Sequence, residues 1–179
     1  MFMHVKAKTM AFGGLLLALT VIFMVLGSVI ETSTLFLLAA ASFFVGIVVR
    51  EFGLRTGAAF YVAGVILGFA AAPNKFYVFT FAAMGFYIWG REAAWRQITA
   101  HVRQEKSKAV FLLSKYVIFN IVYIPIVLIF RNMLFTKAVS GTVLTVIIIA
   151  GQIGLLIYDK AYDYVQVYIW GKMRARVMS

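Results

Sequence analysis

Six apolar stretches separated by short polar breaks run along the chain, and each reads as a helix. They cover residues 10–30 (MAFGGLLLALTVIFMVLGSVI), 34–49, 56–72, 76–90, 109–130 and 138–158. About 20 helical residues cross the hydrocarbon core of a bilayer. The first, fifth and sixth stretches meet that length unaided. The second to fourth are short: interfacial residues complete their ends, or the third and fourth form a hairpin buried in protein. Complete crossings are the expectation. Ser33 or Thr34 is placed to cap the second helix, and Pro73 stops the third. The pattern predicts an all-α, polytopic membrane protein, with residues 1–179 forming one integral domain built as a six-transmembrane-helix bundle.

Two breaks carry their own periodicity. In residues 92–108 (EAAWRQITAHVRQEKSK), Trp95, Ile98 and Val102 share one helical face, while Arg96, Arg103, Gln104 and Lys106 take the others. This reads as an amphipathic connector lying in the membrane interface, its tryptophan at headgroup level, or as an ordinary charged connector. After Tyr158 the stripe Tyr162, Val165, Ile169 predicts a second interfacial helix or a continuation of the sixth.

Composition reinforces the membrane reading. Apolar residues are 64% of the 179, against roughly 45–50% in ordinary soluble domains, and the mean hydropathy is +0.97. A soluble domain this small has no interior able to hide so much apolar surface. The net charge of +11 flanks apolar spans instead of forming a basic stripe, which excludes nucleic acid and points to anionic lipid as the partner of the cations. Of the 17 lysines and arginines only Lys75, Arg131 and Lys137 fall on one side of the expected membrane; the rest flank the other. The positive-inside bias then puts both termini in the cytoplasm. The apolar run behind the basic N-terminal tail is longer than a signal-peptide h-region and reads as a retained first helix.

The chemistry-bearing inventory is small. Cysteine is absent, and His4 and His101 stand far apart with no metal-ligand spacing. No nucleophile elbow, P-loop or dinucleotide fingerprint occurs, so catalytic, cofactor and metal sites are not expected, nor is ATP hydrolysis by this chain. Asp159 and Asp163, one turn apart beside Lys160, read as a solvated helix end. Within the spans, Asn120 and Gln152 must find hydrogen bonds, either between helices or around a polar pocket. At the outward ends, Glu31, Asn74, Lys75, Tyr77, Arg131, Asn132 and Lys137 form a net-cationic rim. That rim suits a ligand with an anionic portion, or consists of loop residues and interfacial anchors. Small-residue pairs recur at Gly14/Ala18, Gly64/Gly68 and Ala150/Gly154, where backbones can approach closely, inside the bundle or against a partner.

With its basic tail, six apolar segments, inward termini and the N-terminal run KAKTMAFGGLLLALTVIF, the chain resembles the substrate-binding S components of energy-coupling factor vitamin transporters. The resemblance implies a prokaryotic cell-membrane protein that captures a vitamin or other small nutrient from outside. Transport would depend on a transmembrane coupling subunit and two ATPase subunits that use the ATP. It further implies that Gly14-x-x-x-Ala18, with Ala11 nearby, meets the coupling subunit, and that the ligand sits toward the external helix ends. The family pattern has alanine at the first small position, where this chain has Gly14. The aromatic residues Tyr77, Phe79, Phe81, Phe86, Tyr87 and Trp89 offer stacking area but do not select a vitamin. The alternative is a non-catalytic membrane scaffold or accessory subunit that uses the same small-residue seams.

Overall fold

The computed structural model describes residues 2–134 and 141–177, with side chains described for 10–129 and 141–174. Among these residues every regular element is helical: α1 (Phe2–Val29), α2 (Thr34–Phe52), α3 (Leu54–Ala71), α4 (Lys75–His101), α5 (Gln104–Leu134), α6 (Gly141–Tyr164) and α7 (Gly171–Val177). A 3-10 turn, Glu31–Ser33, precedes α2, and a π-helical segment, Val165–Trp170, joins α6 to α7. Among the described residues, five stretches are long and apolar enough to cross a membrane: Met10–Val29, Glu31–Phe52, Leu54–Ala71, Gln104–Ile129 and Gly141–Arg174. The fourth expected segment, 76–90, lies inside α4, whose helix runs on through Arg91 and Glu92.

The chain divides into two compact units, Met1–Ala93 and Ala94–Ser179. In the first, α1, α2 and α3 pack mutually. Thr20 and Met24 of α1, Leu38, Val45 and Val49 of α2, and Val78, Phe81 and Ile88 of α4 are buried. Glycine makes this packing close. The positions where side chains would stand on Gly64 and Gly68 lie 3.3 Å from the Phe81 ring and 2.8 Å from the Met24 methyl, respectively. The α3 pair is therefore consumed by internal packing, one of the two uses its spacing allowed.

The helix joints are specified locally. Ser33 makes no side-chain cap to α2. Thr34 acts differently from the expected cap: its hydroxyl donates 2.8 Å to the Gly27 carbonyl, tying α2 back to the end of α1. Between α2 and α3, Gly53 takes φ +92°, a left-handed value that costs a side-chain-bearing residue, and its N–H closes α2 on the Val49 carbonyl. At the start of α4, the Asn74 side-chain oxygen accepts from the Phe76 N–H at 3.0 Å, an N-cap bond.

In the second unit α5 and α6 form an antiparallel pair, shown by cross-helix bonds whose positions rise on one helix as they fall on the other. Lys115 meets Asp159, Asn120 meets Gln152, and the Tyr123 hydroxyl donates to the Ile147 carbonyl at 2.7 Å. Gly151 faces the Tyr123 ring too closely to accept a side chain, while Gly154 has open space around it. The connector expected at 92–108 is divided between helices: α4 continues to His101, Val102 and Arg103 break it, and α5 begins at Gln104. Past Tyr158, α6 continues to Tyr164 and then passes into the π segment Val165–Trp170. The buried face over these turns is Tyr162 of α6 with Gln166 and Trp170 of the π segment, while Ile169 is exposed. The wider π turn accounts for the departure from the expected stripe, since more residues fit in each turn than at the α period.

Candidate functional site

The expected partner-facing residues lie on one exposed strip of α1. Ala11, Gly14 and Ala18 are all exposed, and a Cβ added to Gly14 would meet nothing within 4 Å. The opposite face of the helix, through Leu16, Thr20 and Met24, is buried. Ala18 also edges an open apolar groove of about 550 Å³, completed by Val21 and Ile22 of α1 and Leu67, Ala70 and Ala71 of α3. The two small-residue pairs thus differ: Gly64 and Gly68 are filled from within, and Gly14 and Ala18 are open.

The rim residues separate by element. Glu31 sits in the 3-10 turn at the α1–α2 joint, and Asn74, Lys75 and Tyr77 at the α3–α4 joint. Met24 and Val78 both lie against Gly68, which places these two joints at the same end of the first unit. Within that end, Asn74 caps α4 and the Lys75 ammonium donates to the carbonyls of Phe69 and Ala72, the latter at 2.8 Å. A cation on the last carbonyls of α3 complements the helix dipole. Glu31 and Asn74 are exposed and Tyr77 is half-buried. Arg131 and Asn132 belong to α5, with side chains outside the described residues, and Lys137 lies outside them altogether.

Asn120 and Gln152 bond one another reciprocally. The Gln152 amide donates 2.9 Å to the Asn120 oxygen, and the Asn120 amide donates 3.2 Å to the Gln152 oxygen and 2.9 Å to the Tyr116 carbonyl. Two amides in an apolar hairpin so satisfy most of their capacity within the protein.

Two ion pairs were hidden in the sequence pattern. Lys115 and Asp159 meet at 2.6 Å, with side chains only 12% and 13% exposed, so Asp159 is not the solvated helix end that its neighbourhood suggested. The Lys115 ammonium also stands 4.4 Å from the centre of the Phe111 ring, on which Trp95 packs at 4.8 Å. In the first unit the Arg50 guanidinium donates twice to Glu92 Oε1, at 2.7 and 3.1 Å, and Glu92 is buried beside the buried Arg91. The signal for Lys115 lay in its position several residues inside the fifth apolar run, where a cation requires a partner. Asp159 is the carboxylate that antiparallel register brings opposite. Among the described residues, no group of three or more histidine, aspartate or glutamate side chains is arranged to hold a metal.

Five apolar helices long enough to cross among the described residues, with Arg50–Glu92 and Lys115–Asp159 paired between helices, define a polytopic all-α membrane protein. No family model matches the chain, and neither curated proteins nor solved structures give a match.

Proposed function

We propose that this protein is a membrane-embedded capture subunit for a small nutrient, working through separate membrane-coupling and ATP-hydrolysing subunits. The observation that supports this reading is the open strip Ala11–Gly14–Ala18 and the groove it borders. In lipid, apolar burial alone does not drive helices together, and close backbone approach at small residues does. A small-residue face that the protein's own helices leave open suits the helix of another membrane protein. It is also the segment through which the resemblance to S components implies contact with a coupling subunit. In this reading α4 supplies a sixth crossing through residues 76–90 beside the five longer apolar stretches, so both termini are cytoplasmic, and the end of the first unit carrying Glu31, Asn74, Lys75 and Tyr77 faces outward, receiving a nutrient with an anionic portion.

Native mass spectrometry of the protein purified gently from its own membranes tests the proposal. The expected assembly contains one further polytopic subunit, two ATP-binding subunits and a retained small molecule. A complex with membrane proteins lacking ATP-binding subunits and any small molecule would replace capture with a scaffold role.

A further inference from the structure

Where α4 ends and α5 begins, four cations stand at the edge of an apolar surface. Arg96, Arg103, Lys106 and Lys108 are exposed, with Glu105 the single carboxylate in residues 94–108. The Arg103 carbonyl accepts from the N–H groups of Lys106 and Ser107 at 3.0 and 3.1 Å, which sets Arg103 and Lys106 in one turn at the helix break. Arg96 neighbours Trp95, and Lys108 lies one turn ahead of Phe111, the ring on which Trp95 packs. Trp95 keeps 40% of its surface open. Immediately beyond, the first full turns of α5 expose Val110, Leu112 and Leu113.

We infer that this junction binds the headgroup of an anionic phospholipid, its phosphate held by Arg96, Arg103, Lys106 and Lys108 and its acyl chains lying along Val110, Leu112 and Leu113. The juxtaposition selects the ligand. A soluble polyanion satisfies the cations but leaves the adjoining leucines in water, whereas the boundary of a bilayer supplies negative charge and hydrocarbon within one helical turn. Trp95 suits the same boundary, an apolar ring with one polar N–H. The break joins α4 to α5, and the Trp95–Phe111 contact holds the two helices together beside it, so cations of both helices flank one junction. This site depends on membrane embedding alone and is independent of nutrient capture.

The test reconstitutes the purified protein into phosphatidylcholine vesicles and measures, by electron spin resonance, the motionally restricted fraction of spin-labelled phosphatidylglycerol against spin-labelled phosphatidylcholine. The parent is expected to hold phosphatidylglycerol preferentially at low salt. The variant R96Q/R103Q/K106Q/K108Q loses most of that preference, and Arg103→Gln alone, which disturbs the fold least, lowers the apparent affinity by up to about fivefold. A variant with the same loss of charge elsewhere, R55Q/K160Q/K172Q/R174Q, retains most of the preference. Equal losses in the two four-fold variants would reduce the effect to net charge and overturn the site. Absence of any lipid preference in the parent would overturn it too.

Discussion

Removing the carboxylate of Asp159 should be among the most damaging conservative changes in the second unit. In Asp159→Asn the Lys115 ammonium, bonded at 2.6 Å and only 12% exposed, loses its counter-ion while staying between α5 and α6. Breaking a buried pair from one side costs about 3–5 kcal/mol in soluble proteins, because the surviving charge is left uncompensated. The Phe111 ring at 4.4 Å from the ammonium offsets part of this, about 0.5–2 kcal/mol depending on desolvation. A net loss of about 1–4.5 kcal/mol follows. Replacing both partners removes the uncompensated charge, so K115M/D159L should lie within about 1.5 kcal/mol of the parent. Steric-trapping measurements of unfolding in bicelles, on Asp159→Asn and as a double-mutant cycle over Asp159→Leu, Lys115→Met and K115M/D159L, read the difference directly. Single variants indistinguishable from the parent, or a double variant that loses the sum of the singles, would refute the reasoning.

Gly151→Ala and Gly154→Ala should separate although they sit on the same helix: the first drives a methyl into the Tyr123 ring, and the second enters open space. Overpacking costs about 1–3 kcal/mol, so thermal unfolding in detergent should show Gly151→Ala destabilised and Gly154→Ala unchanged or slightly improved. Asn74→Ala removes the cap of α4 and should cost about 1 kcal/mol, with Asn74→Asp retaining most of the stability; equal losses for the two would argue against the cap. Gly14→Leu, whose Cβ would meet nothing within 4 Å on an exposed strip of α1, should leave membrane insertion and unfolding temperature unchanged.

Apolar run length placed α2 and α3 to within a few residues, whereas α1 begins at Phe2 instead of Met10 and α5 at Gln104 instead of Ala109, because charged turns prolong both helices beyond their apolar spans. The extra turns of α5 before Ala109 and of α2 after Val49 were hidden by charge. Lys106, Lys108 and Arg50 look like flanks in a hydropathy reading but continue their helices. Pairing across helices was beyond reach for a different reason. Position along the chain does not fix register, so Lys115 counted as a flanking cation and Asp159 as a solvated end until α5 and α6 were seen antiparallel. The choice between internal and external use of the small-residue pairs was equally invisible, since Gly14/Ala18 and Gly64/Gly68 have the same spacing. What separates them is azimuth: Gly68 faces Met24, and Gly14 faces away from the packed side of α1. The π segment changed the buried stripe after Tyr158, because a helical period read from sequence assumes the α turn.

The central claim, that the open strip of α1 docks a separate membrane subunit, is met most directly by photocrosslinking in native membranes from a reactive amino acid placed at Ala18. The account predicts one discrete adduct with a polytopic membrane protein that also carries ATP-binding subunits, abolished when Gly14→Leu is added in the same chain. No protein adduct from Ala18, or an adduct that persists with leucine at position 14, would contradict it.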